Sequence, residues 1–71
     1  MMPTFSTYGR TTTFKLLFKD WQDEQEYEFG MIGRFLYMAE QRGERWLYYK
    51  VSPASLSKKE YARYVHEMLK L

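Results

Sequence analysis

The sequence predicts one small α+β domain in the order β-β-α-β-α, with a three-stranded antiparallel sheet and two helices packed on one of its faces. Three observations carry this reading. Apolar and charged residues alternate over 11–19 and again over 26–29, apolar residues recur at helical spacing over 31–42, and Ser57 with Glu60 forms a capping box ahead of a second helical stripe.

Residues 1–10, MMPTFSTYGR, carry turn formers at Pro3, Ser6 and Gly9 and read as a flexible N-terminal arm, leaving 11–71 as the folded domain. Residues 11–19 read as a half-buried strand, with Phe14, Leu16 and Phe18 inward and Lys15, Leu17 and Lys19 outward. DWQDEQ at 20–25 reads as a turn. Residues 26–29 return as the partner strand, with Tyr27 and Phe29 inward and Glu26 and Glu28 facing the lysines across the hairpin. Over 31–42, Ile32, Phe35, Leu36 and Ala39 fit the i, i+3, i+4, i+7 face of a helix that Gly43 would stop. Residues 44–51 read as the third strand, with Leu47, Tyr49 and Val51 inward and Trp46, Tyr48 and Lys50 outward. After the SPASL connection, Ser57 caps a helix whose stripe is Tyr61, Tyr64, Val65, Met68 and Leu69. Placing the third strand beside the first makes every pair antiparallel.

A 71-residue chain without cysteine has no disulfide and no thiolate metal site to hold it together. An aromatic content of 20%, seven Tyr, five Phe and two Trp, offers a dense core instead, with rings left over for an interface. The net charge of +2 is too mild to diagnose nucleic-acid binding. The charge is uneven: residues 1–41 hold four basic and six acidic side chains, and residues 42–71 hold seven basic and three acidic. No apolar run reaches the roughly 20 residues that span a bilayer, so no membrane partner is expected, and a cytoplasmic location is the default for a chain without cysteine or a leader-like start.

Catalytic chemistry has no foothold in this pattern. His66 is the sole imidazole and falls off the apolar stripe of its helix, and the serines sit in loops and caps. The acids at 20, 23, 24, 26 and 28 lack the spacing and glycine of a calcium loop. Gly30, Gly33 and Arg34 do not make a phosphate loop. No enzyme, cofactor or metal is therefore expected.

Binding surfaces remain. The outer sheet face would present Trp46, Tyr48 and Lys50 with Lys15, Leu17 and Lys19, aromatic anchors beside cations that suit a protein partner. The ordinary alternative is that the N-terminal arm folds back over this face. A basic stripe, Lys59, Arg63, His66 and Lys70, runs along the last helix. Open sheet edges would permit a homodimer. The favoured function is a non-catalytic protein-binding module, a small adaptor, inhibitor or regulator of a larger protein. The alternative is a nucleic-acid binder using the same sheet face and the basic stripe. In size, aromatic content and lack of catalytic motifs the chain resembles small accessory proteins of phages and mobile elements. No family motif carries that likeness, so no residue role transfers from it.

Overall fold

Two-residue turns set the architecture. In the computed structural model, which describes residues 2–71, the chain reverses at Asp23–Glu24, Gly33–Arg34 and Gly43–Glu44. Asp23 and Glu24 both have positive φ (51° and 63°), the mark of a type I′ hairpin turn. Gly33 (φ 62°) and Gly43 (φ 61°) occupy the first central position of theirs, where glycine adopts the left-handed region without a Cβ penalty. The strands between them are β2 (Lys15–Gln22), β3 (Gln25–Ile32), β4 (Phe35–Arg42) and β5 (Arg45–Lys50), a continuous antiparallel meander. A short strand β1 (Phe5–Tyr8) pairs antiparallel with β5, Phe5 opposite Tyr48, so the sheet order is β1-β5-β4-β3-β2. One helix, α1 (Lys58–Met68), follows a single 3-10 turn at Pro53–Ser55.

The expected three-stranded sheet with two helices is thus corrected to five strands and one helix. The segment read as the first helix forms the end of β3, a turn and β4. The helical spacing there arose because β4 is apolar on both faces. Leu36 and Met38 point to one side and Phe35, Tyr37 and Ala39 to the other, so any periodic template finds matches. Part of the segment read as an arm forms β1; its first residue, Met1, lies outside the described residues.

The last helix starts where its capping box places it. Ser57 Oγ accepts from the Glu60 N–H at 3.2 Å, and Glu60 Oε1 accepts from the Ser57 N–H at 3.0 Å. Tyr64 and Met68 pack onto the core, whereas Tyr61, Val65 and Leu69 from the same predicted stripe remain exposed.

The sheet is buried on both faces, by different means. On the α1 side, Phe18, Phe29, Met31 and Leu36 form a core joined by Tyr64, Met68 and Leu56, with Phe18 stacked on Phe29 at 4.8 Å. On the other side, Phe14, Ala39 and Tyr48 form a second core with Phe5, Ile32, Tyr37 and Trp46 around it. The cover here is the connection from β1 to β2. These strands lie at opposite edges, so residues 9–14 must cross the sheet. Arg10 pairs with the buried Glu28 and lies over the Trp46 ring at 5.3 Å. The Thr11 N–H donates to the Tyr48 hydroxyl at 2.9 Å, and Phe14 seats over Gly30.

Candidate binding cleft

The residues that sequence reasoning placed on an outward sheet face separate in the structure. Trp46, Tyr48 and Lys50 do point away from α1, and Lys19 shares their side through its register with Glu28. The crossing segment, however, closes most of this face. Tyr48 is 0% exposed, stacked on Phe5 at 4.6 Å, and Trp46 is half-buried beneath Arg10. The arm-side segment that folds over the face is therefore what removes Tyr48 from any external contact. Lys15 and Leu17 leave the set altogether. The register slips between Leu16 and Phe18, a β-bulge that adds one residue to β2. Beyond it Leu17 turns with Phe18 into the α1-side core, and Lys15 falls opposite Met31 rather than on the Lys19 face.

The basic stripe of α1 is exposed, but two of its members are engaged. Arg63 donates to the Lys19 carbonyl at 2.8 Å and lies 4.7 Å from the centre of the Phe18 ring. Lys70 pairs with Glu67 at 3.2 Å. Lys59 and His66 stand exposed on the same helix.

What the structure does assemble is a cleft at the end of the sheet, where the β3–β4 turn meets the chain leaving β5. It encloses about 360 Å³ and is lined by Arg34, Phe35, Leu36, Lys50, Val51, Ser52, Pro53 and Tyr64. Local structure explains each contribution. Gly33 makes the tight turn that projects Arg34. Phe35 is the first residue of β4, on the face opposite α1 and 48% exposed because the crossing segment covers the sheet elsewhere. Lys50 ends β5, and its Nζ stands 3.8 Å from the Phe35 ring centre, a cation–π contact of about 0.5–1 kcal/mol at such an exposed position. Ser52 and Pro53 begin the turn toward α1, and Tyr64 reaches in from the helix.

The lining holds two cations and no carboxylate. The ion pairs among the described residues join Arg10 to Glu28, Lys19 to Glu26, Arg42 to Glu40 and Lys70 to Glu67, so neither Arg34 nor Lys50 is spent on one. Such a site can attract an anion and hold an apolar group beside it. Lys50 was legible as a surface cation in the sequence. Phe35 and Arg34 were not, since both were absorbed into the supposed helix. The signal that reveals them is the recurrence of Gly33 and Gly43 ten residues apart, the spacing of a β-meander with two-residue turns.

Among the described residues no three His, Cys, Asp or Glu side chains converge in a way that could hold a metal ion, and no helix is long and apolar enough to cross a membrane. Comparison with protein-family models, with curated proteins and with solved structures finds no match.

Proposed function

We propose that this chain is a non-catalytic protein-binding module, a small adaptor, inhibitor or regulator, that meets its partner at the end of the sheet around Arg34, Phe35 and Lys50. The observation that supports this reading is the half-exposed Phe35 ring, flanked by a stacked Lys50 and an unpaired Arg34 at the mouth of an apolar cleft. Interfaces draw most of their energy from aromatic and arginine anchors that sit beside a pocket and lose water on contact. Exposed aromatics elsewhere, such as Trp21 and Tyr61, take no part in lining this cleft. The nucleic-acid alternative relies on a row of stacking rings with cations alongside. Tyr48, one of its two rings with Trp46, is enclosed, and Arg63 is committed to the main chain of β2.

Site-specific photo-crosslinking tests the reading. A benzophenone side chain is placed at position 35 and, separately, at position 24 on the opposite hairpin tip, and each protein is exposed to lysate of its source cell. The expected result is one discrete protein adduct from position 35 that disappears when Arg34 and Lys50 are both changed to Ala. The same adduct pattern from both positions, or adducts that persist in the double variant, overturns the assignment of the surface.

A further inference from the structure

Resting on that reading, we propose that the cleft accepts an acidic side chain of an extended peptide segment, its Asp or Glu carboxylate between Arg34 and Lys50 and a neighbouring apolar residue against Phe35, Val51 and Pro53.

The electrostatic part follows from position. The acids at 20, 23, 24, 26 and 28 lie on β2, β3 and the turn between them, whereas Arg34 lies on the turn at the far end of β3. An eight-residue strand spans about 26 Å at roughly 3.3 Å per residue. That is several Debye lengths, since screening at physiological salt acts over about 8 Å. The acidic turn at Asp23 and Glu24 therefore does little to neutralise the potential at the cleft, and a carboxylate there meets two cations with no competing acid in the wall.

The choice of carboxylate follows from which donors are free. Many phosphate sites and C-terminal carboxylate sites are built from converging main-chain N–H groups, and arginine side chains bind phosphate as well as carboxylate. Around this cleft two such groups are already occupied: the Val51 N–H donates to the Leu36 carbonyl at 3.0 Å, and the Lys50 N–H donates to Thr4 Oγ1 at 3.1 Å. Side-chain cations remain, one of them the planar fork of Arg34 that matches a carboxylate with two parallel bonds. Phe35, Leu36, Val51 and Pro53 give the rest of the cleft an apolar surface, which favours a peptide whose acidic residue has an apolar neighbour. A polynucleotide requires instead a track of cations along successive phosphates.

Binding of two fluorescein-labelled peptides, both amidated at the C-terminus, tests the inference. One carries the core Leu-Glu-Phe-Asp, and the other carries its uncharged counterpart Leu-Gln-Phe-Asn. Anisotropy reports affinity, and amide chemical-shift changes report location. The acidic peptide is expected to bind at least about tenfold more tightly than the uncharged one. Its shifts are expected to centre on Arg34, Phe35, Lys50 and Tyr64, and added salt should weaken it. Arg34→Gln combined with Lys50→Gln should erase the difference between the peptides. The peptide comparison itself uses the unaltered protein, so it does not depend on how the variant folds. Equal affinities, no binding of either peptide at millimolar concentration, or shifts centred on another surface overturn the inference. So does a poly-dT oligonucleotide that binds the cleft more tightly than the acidic peptide. A positive crosslink at position 35 together with failure of the acidic peptide would leave the protein-binding reading standing and remove only this ligand chemistry.

Discussion

Gly30 sits against Phe14, the last residue of the crossing segment. A Cβ built there would fall on the Lys15 carbonyl oxygen and within 2.6 Å of Phe14 Cζ, so the missing side chain is what lets Phe14 pack against β3 beside Tyr48. Gly30→Ala should therefore destabilise the fold by about 2–3 kcal/mol, the scale of overpacking against a backbone atom. Gly33→Ala meets open space and carries only the cost of positive φ, about 1 kcal/mol. Urea midpoints of the two variants check the order; equal losses would mean that Phe14 moves aside freely. On the α1 side the sensitive pair is Tyr49 and Glu40, both buried. The Tyr49 hydroxyl donates to Glu40, which also accepts from Gln25 at 3.0 Å. The hydrogen bond to Glu40, then burial and the negative charge of Glu40, hold the Tyr49 phenol above its ordinary pKa. The folded state thus binds this proton more tightly than the unfolded state. The resulting stability is complete below the unfolded value, about pH 10, and is lost as pH rises through the folded one. Stability should fall above about pH 10, and Tyr49→Phe should flatten that part of the curve while costing about 1–2 kcal/mol at neutral pH. A variant with the same alkaline slope as the parent would place the titration elsewhere.

At the scale of elements, β2 is the long open edge, and its protection is visible. The two-residue turn makes Gln22 and Gln25 a bonded pair, so alternation turns the main-chain groups of Lys19 and Trp21 outward. Arg63 covers the Lys19 carbonyl, and the bulge at Leu17 bends the strand below it, two standard defences against edge-to-edge pairing. Arg63→Ala removes the first of these and leaves Trp21, 68% exposed, beside an uncapped strand. Self-association should then rise with concentration in sedimentation velocity; an unchanged profile would show that the bulge and the edge lysines suffice alone. Elements with local signals were legible in the sequence. The hairpin showed its charge complementarity at Lys19, now 3.8 Å from Glu26, although the bulge puts Lys15 on the other face; β5 showed its parity, and α1 showed its capping box. β4 was not legible as a strand, because burial on both faces erases the period-two contrast that marks a half-buried strand. β1 was not legible because four residues are too few to show a period and their partner, β5, lies far along the chain. The cleft inherits this split: Lys50 was visible, whereas Arg34 and Phe35 depended on recognising the turn at Gly33.

For the molecule as a whole, the decisive feature is that one short segment closes the second core. The β2–β5 meander can form by successive local hairpins, each closing a two-residue loop. β1 and the crossing segment join Phe5 to Tyr48 and Arg10 to Glu28, contacts between distant parts of the sequence whose loop-closure entropy is repaid only once β5 is in place. The expected order of assembly is therefore the meander first, then the segment that lies over it. Tyr48 is the receiver: its ring takes Phe5 and Phe14, and its hydroxyl takes the Thr11 N–H. In folding kinetics, Phe5→Ala should leave the folding rate nearly unchanged and speed unfolding, because the contacts it removes form after the transition state. Leu36→Ala, at the centre of the meander core and 3% exposed, should slow folding instead. Chevron plots of the two variants distinguish the outcomes. A folding limb slowed as much by Phe5→Ala as by Leu36→Ala would mean that the crossing segment is already seated when the barrier is crossed, and that the distant contacts at Tyr48 nucleate the fold rather than seal it.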